Sequence, residues 1–305
     1  MRRWVPFFIL LAAIWGNSFF FIKVAVGSLH PLQISFGRMA IASVTLLVVL
    51  FASGRRLPRD PKLWGHFALA STVLTTLPFT LFGYGEQHVS SVVASIWNAT
   101  TPLCTLVFAL LLRSERATAA RITGLGVGFA GVMVVLGVWE PVSGGELTGS
   151  LACFAAAACY GVGGAYLGRF ITHRGEEPIV LATTQILAGT VELAVITPLA
   201  GVPLVNLDVP GEVWGSLLAL GALGTGIAYL LLYRVQRIAG VTTTSTVTYL
   251  LPVFATVSGV TILDERLTWH QPVGAVVVLV GIAVIQGAIP LRRRAARPVA
   301  AVAAE

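Results

Sequence analysis

VSSVVASIWNATTPLCTLVFALLLRSERATAARITGLGVGFAGVMVVLG, residues 89–137, occurs a second time in outline at 239–287. Shifted by 150 positions, Pro102 falls on Pro252, Glu115-Arg116 on Glu265-Arg266 and Thr118 on Thr268. Gly124, Gly131 and Gly137 then fall on Gly274, Gly281 and Gly287. Two apolar segments, a central proline and a short Glu-Arg connection recur without an insertion. A period of about 20–50 residues would mark a solenoid, whereas a repeat near half the chain marks two halves that face each other.

Composition names the solvent. Of 305 residues, 56% are hydrophobic and only 11% charged, with a mean hydropathy of +0.86. Soluble domains carry roughly 25% charge, so this chain belongs in lipid. The pI near 9.8 does not point to nucleic acid, because the basic residues are scattered over short connections and form no face. Cys104, Cys153 and Cys159 lie inside apolar segments without redox or metal-ligand spacing and read as small buried hydrophobes. Met1-Arg2-Arg3 and the apolar run behind it resemble a signal peptide. That run reaches Val26, longer than the roughly 7–15 residues of a signal core, and reads as a first span.

A bilayer core needs about 20 apolar residues per helix. Ten segments qualify: 5–26, 31–51, 63–84, 89–111, 121–139, 147–167, 179–199, 213–233, 241–263 and 272–290. The first five form one unit (5–139), the second five another (147–290), and a basic tail (291–305) follows. With the N-terminus in the cytoplasm, all of the 20 Lys and Arg except Lys23, Arg38 and Arg266 fall on the inner side. Glu86, Glu140, Glu146, Asp208, Glu212, Asp264 and Glu265 fall on the outer side. Both termini are therefore expected inside. Five spans per half is an odd number, so the second half enters the membrane inverted. The expected fold is an all-α integral membrane protein of ten transmembrane helices in two inverted five-helix repeats. Such repeats supply two exchangeable conformations around a site near the midplane.

Further residues extend the correspondence. Trp15-Gly16 in span 1 answers Tyr160-Gly161 in span 6, and Pro31 before span 2 answers Pro178 before span 7. Trp-Gly in the first span and an Arg early in the second are followed by a proline in the fourth and ninth, a Glu-Arg turn and a Gly-spaced fifth span. Together these resemble the EamA family of the drug/metabolite transporter superfamily over residues 7–290. The resemblance implies a ten-helix carrier exporting amino acids, other metabolites or toxic compounds across a bacterial inner membrane, with spans 1, 3, 4, 6, 8 and 9 lining the path. The second unit departs from the pattern in placing Gln185 where the first has Arg38.

Charges and polar groups inside spans are the candidate site. A charge in hydrocarbon costs about 2.5–3.5 kcal/mol and normally faces a cavity or a partner. Arg38 and Glu192 each lie seven residues from the outer end of a span, so both sit about 10 Å deep and are placed to pair. Such a pair gates a cavity or binds a zwitterion; the bland alternatives are a plain structural salt bridge or Arg38 binding loose backbone carbonyls. Glu192, the one carboxylate read as deep in a span, is the candidate for proton coupling. Lys23, near the outer end of span 1, is expected to snorkel to the interface or to attract anions at the mouth.

Pro102 and Pro252 remove a backbone bond and kink their helices at matching places, which points to a binding site. Around them lie Trp97, Asn98, Thr100 and Thr101, with Thr248 and Tyr249 in the copy; Trp15, Asn17, Ser18 and Tyr160 share their depth. Aromatic faces with a few amides and hydroxyls suit an amphipathic small molecule. The bland alternative is interhelical hydrogen bonding. Gly126-x-Gly128-x-x-Gly131 copies a dinucleotide fingerprint but follows no strand. Gly124-x-x-x-Gly128 and Gly164-x-x-x-Gly168 are read as helix-packing faces. The Glu115-Arg116 and Glu265-Arg266 pairs sit at span ends and cap helices, form salt bridges or serve as mirrored inner and outer gate contacts.

An enzyme finds little support. His30, His66, His88, His173 and His270 are scattered, and neither a nucleophile elbow nor a P-loop is present. No metal and no cofactor are expected; the partners are a small molecule, the bilayer and, through Glu192, protons. The alternatives are a membrane-embedded enzyme on a lipid-soluble substrate and a structural or regulatory membrane protein that moves nothing.

Overall fold

A computed structural model describes residues 4–111, 118–139, 143–171, 176–239, 244, 246–286 and 288–289. Among these residues every regular element is helical and no strand occurs. In chain order they are α1 (Val5–Ala25), α2 (Pro31–Ala52), α3 (Pro61–Glu86), α4 (Ser91–Asn98), α5 (Thr101–Leu111) and α6 (Ala119–Leu136). Then come α7 (Gly144–Phe170), α8 (Pro178–Leu199), α9 (Gly211–Ala239), α10 (Leu251–Ile262) and α11 (His270–Ile285). A 3₁₀ turn, Thr246–Tyr249, precedes α10. Eight helical stretches, Ser91–Phe108 counted as one, are long and apolar enough to cross a bilayer. Thr246–Ile262 and His270–Ile285 are shorter apolar helices. The 291–305 tail and the Glu115-Arg116 pair lie outside the described residues.

Local sequence sets the helix starts. His30 and Gln33 form a reciprocal capping box at α2, and Pro31 occupies the first turn, where its missing N–H costs nothing. Ser90, Thr118 and Ser143 accept backbone N–H groups at the starts of α4, α6 and α7. Gly137 ends α6 with φ 58°, a left-handed position that glycine takes without strain. The flanks of the bundle are apolar: Val44 and Val48 are each 63% exposed, Leu111 72% and Val191 64%. In water such a surface would aggregate; in lipid it is the solvent contact.

α6 and α11 pack antiparallel at backbone distance. A Cβ on Gly131 would lie 2.9 Å from the Gly274 carbonyl, and one on Gly281 would lie 2.7 Å from the Gly124 carbonyl. Gly124 and Gly128 thus form the packing face expected of them. Gly164 does not, because nothing lies within 4 Å of its Cβ position. On α7 the close approaches belong to Gly161, against Cys104 and Thr105, and to Gly163, against Leu74. Cys104 and Cys153 are buried as expected, while Cys159 is only partly so.

The remaining helices surround a cavity. α1 packs against α9 and α10, α7 against α3 and α5, α2 against α8 and α9, and α4 against α10.

Candidate functional site

Two helices that flank the cavity carry π-helical segments, Thr72–Thr76 in α3 and Ala219–Ile227 in α9. A π-turn bonds each N–H five residues back, so one carbonyl is passed over. In α9 the Ala228 N–H reaches the Leu223 carbonyl, and the Gly224 carbonyl is left to side chains. Trp15 Nε1 donates to it at 3.1 Å and Arg38 Nη2 at 3.1 Å. Arg38 Nε also donates to Thr225 Oγ1 at 2.6 Å, and the guanidinium lies 3.8 Å from the Phe79 ring centre. In α3 the Leu77 N–H bonds to the Thr72 carbonyl. Pro78 then has no N–H for Leu74, whose carbonyl accepts from Tyr229 Oη at 3.3 Å. Both irregular turns are therefore satisfied by side chains crossing between the halves of the chain.

Asn98, the break before Pro102, follows the same logic. Pro102 lacks the N–H that would bond the Asn98 carbonyl, and Thr101 Oγ1 donates there instead at 2.7 Å. Thr100 Oγ1 takes the Trp97 carbonyl at 2.6 Å. The expected kink is a full interruption: α4 ends at Asn98 and α5 restarts at Thr101 with the proline in its first turn. Pro252 likewise sits in the first turn of α10, after the 3₁₀ turn. Proline is stable there because a first-turn N–H has no intrahelical partner anyway.

These features enclose a cavity of about 170 Å³. Its wall includes Trp15, Ser18, Arg38, Asn98, Thr101, Tyr160, Gln185 and Thr248, all expected. Phe79, Phe82, Tyr229, Leu232 and Gln236 also line it and were not expected. Their signal was available: shifting Phe79 and Phe82 by 150 positions gives Tyr229 and Leu232. Besides spans 1, 3, 4, 6, 8 and 9, the second and seventh contribute, through Arg38 and Gln185. Gln185 is 1% exposed; its Oε1 accepts from Tyr233 Oη at 2.6 Å, and its Nε2 has no partner. Among the described residues Gln236 Oε1 is unpartnered too. Among the described residues Arg38 is the sole charged member of the wall. Its described residues thus supply aromatic faces, one cation, hydroxyls and two amides that each keep one atom without a partner.

Other expected residues lie elsewhere. Trp97 is 3% exposed and packs edge-on against Phe154 at 5.7 Å, turned away from the cavity that its neighbour Asn98 lines. Asn17 bonds the Ala13 carbonyl at 2.8 Å and lines a separate shallow groove between α1 and α9. Tyr249 Oη accepts from Gln286 at 2.8 Å. Successive helical residues point about 100° apart, which divides each neighbouring pair between the cavity and the packing behind it. Arg38 and Glu192 do not pair. Glu192, half-buried and off the wall, accepts from Thr76 Oγ1 at 2.6 Å, while Arg38 is held by α9. Lys23 Nζ donates to the Glu86 and Val89 carbonyls at 2.7 and 2.8 Å. Glu86, expected in an outer loop, is fully buried. Glu265 caps α4, accepting from Ser91 N at 2.8 Å and Val92 N at 3.2 Å, one of the roles expected of it.

Known proteins share this architecture and sequence pattern. The model of the EamA-like transporter family matches residues 2–137 and again 147–287. This chain belongs to the EamA-like transporter family. An uncharacterized transporter of Archaeoglobus fulgidus is 28% identical over 287 residues, covering 93% of this chain and 99% of that one. The inner membrane transporter YedA of Escherichia coli is 28% identical over 277 residues, covering 88% and 86%. A probable terminal-alkyne amino-acid exporter of Streptantibioticus cattleyicolor is 26% identical over 298 residues, covering 94% and 95%. A solved crystal structure superposes with a TM-score of 0.66 at 20% identity, covering 93% of this chain and 98% of the other, and shows the shared fold. With its EamA-like relatives named as transporters rather than enzymes, this chain is a multi-pass membrane protein of a transporter family.

Proposed function

We propose that this protein is a secondary exporter of a small amphipathic metabolite, an amino acid or a close relative, working by alternating access in a bacterial inner membrane. In this reading ten helices form two inverted five-helix repeats with both termini cytoplasmic. The wall of the cavity carries the proposal. A shift of 145–150 positions links Trp15 to Tyr160, Arg38 to Gln185, Phe79 to Tyr229, Phe82 to Leu232, Asn98 to Thr248 and Thr101 to Leu251, all wall residues. Helix contacts exchange in the same way: α1 with α9 and α10 is answered by α7 with α3 and α5. α6 meets its own counterpart α11, Gly124 facing Gly281 and Gly131 facing Gly274. A pocket shared between two halves of opposite direction is what an alternating carrier requires.

Cavity size and chemistry favour a metabolite over a drug. Drug-sized sites run to about 300–1,000 Å³, well above the 170 Å³ found here. The chain carries no phosphate-binding loop, so a gradient supplies the energy.

Mass spectrometry of small molecules inside and outside overproducing cells tests this reading. One compound should be depleted inside and enriched outside, and the change should vanish with Gln185→Ala at equal protein level. The same compound should then leave vesicles reconstituted with the purified protein. No depletion of any compound would overturn the proposal. So would reporters that place the 54–60 and 200–210 connections on one side of the membrane.

A further inference from the structure

At one end of the cavity a carboxylate is buried with no hydrogen-bond partner among the described residues. α3 and α7 run antiparallel, since Gly85 meets Gly149 at the start of α7. Ile22 and Phe82 therefore mark one end of the wall, and Leu167 and Gln236 the other. Directly beyond Ile22, Lys23 ties α1 to the α3–α4 turn through the Glu86 and Val89 carbonyls, at 2.7 and 2.8 Å. One turn beyond Phe82 lies Glu86. Its side chain is fully buried, and among the described residues neither Oε1 nor Oε2 has a hydrogen-bond partner.

An ionised carboxylate in such a place is expensive, because burial removes its water and nothing replaces it. The nearest ammonium, on Lys23, is already committed to two carbonyls. The other groups acting on Glu86 are Arg38 from α2, Glu265 from the α10–α11 connection and Cys153 from α7. Arg38 is itself spent on Gly224 and Thr225, and Glu265, bonded to Ser91 and Val92, repels a second negative charge.

The second half of the chain shows what the first has added. A shift of 150 carries Glu86 onto Gln236, and a shift of 145 carries Lys23 onto Gly168. A permanently neutral amide thus stands at the opposite end where this end has a carboxyl.

We propose that Glu86 is a proton-binding site, occupied when the Lys23 end of the cavity is closed and vacated when that end opens to water. The proposal rests on the alternating-access reading for its conformational half. Opening withdraws Lys23 from the two carbonyls and hydrates Glu86, whose proton passes to water; closing takes one proton up from the same side. Because the closed form binds the extra proton, acid on that side favours closure and alkali favours opening.

Infrared spectroscopy of the purified full chain in lipid at neutral pH gives the first test. A protonated-carboxyl carbonyl band should be present, should disappear in Glu86→Gln and should survive in Glu192→Gln. If Glu86→Gln does not accumulate, Glu86→Asp makes the same assignment by shifting the band. The second test labels Ile22→Cys, with Cys104, Cys153 and Cys159 replaced by alanine, using a membrane-impermeant thiol reagent on the Lys23 side. Divided at each pH by the rate of a free thiol, which itself reacts as the thiolate, the labelling rate should still climb with pH on that side by up to about tenfold per pH unit, the limit for one linked proton, and this normalised rate should be flat in Glu86→Gln. Absence of the band in the unsubstituted chain, its persistence in Glu86→Gln, or a normalised labelling rate that ignores pH would each overturn the proposal. Neither measurement needs a substrate, so a failure here leaves the export reading standing, and a chain without flux would still show the band.

Discussion

Arg38 shows how a single residue joins the halves of the molecule. Its guanidinium donates to Thr225 and to a carbonyl that a π-turn has set free, and it rests on Phe79. A hydrogen bond from a charged group is worth about 1.5–3 kcal/mol, and lysine cannot reproduce two directed bonds with one ammonium. Flux through reconstituted vesicles should therefore fall at least about tenfold in Arg38→Ala, with Arg38→Lys restoring only part of it. A second prediction separates neighbours that composition cannot. Asn98→Ala should raise KM for the transported compound several-fold, while Trp97→Phe, buried against Phe154, should leave KM unchanged and lower thermal stability. At this scale the sequence located polar positions well and their directions poorly. Trp97 and Asn98, Asn17 and Ser18, and Thr248 and Tyr249 are adjacent pairs in which one member reaches the cavity and the other does not. Helix phase decides between them, and in a helix that is apolar on every side no amphipathic stripe reports that phase.

The helix break at Asn98 belongs to the scale of elements. It exists because Pro102 has no N–H, and it is made affordable by Thr100 and Thr101, which take the stranded carbonyls. Pro102→Ala restores the missing donor and should fuse α4 and α5 into one helix. Hydrogen exchange at residues 98–103 should slow and the melting temperature should hold or rise, while flux drops several-fold as the hinge stiffens. Unchanged exchange would show that the break has another cause. The matched prolines made the position of this break legible beforehand, though as a kink. The π-turns in α3 and α9 were not legible: a shift from four- to five-residue bonding changes no residue type, and only Pro78 hinted at an irregular turn.

For the molecule as a whole, glycine marks both where the halves touch and where they stay apart. Leucine at Gly131 or Gly281 would drive a side chain into backbone atoms less than 3 Å from the Cβ position. Either variant should lower the yield of monodisperse protein sharply, because no flexible group can move aside. Leucine at Gly164 meets nothing within 4 Å and projects from the cavity wall. That variant should elute normally in size-exclusion chromatography and melt near the parent temperature, yet carry little flux. The two outcomes together separate a packing surface from an open path on helices of similar composition.

From its residues alone this chain declared a lipid environment, apolar helices, a repeat about 150 residues long, and the prolines and polar groups clustered near mid-span. Those properties follow from local chemistry, from hydrophobicity over a window and from residues that cannot take part in helix bonding. Only the folded structure revealed that Arg38 bonds to α9 instead of Glu192, that Gly164 lines space instead of filling it, and that Glu86 is buried without a partner. Each depends on which side chain from a distant helix arrives at a given spot. That is set by helix rotation and bulge position, which one-dimensional patterning in an all-apolar helix does not encode.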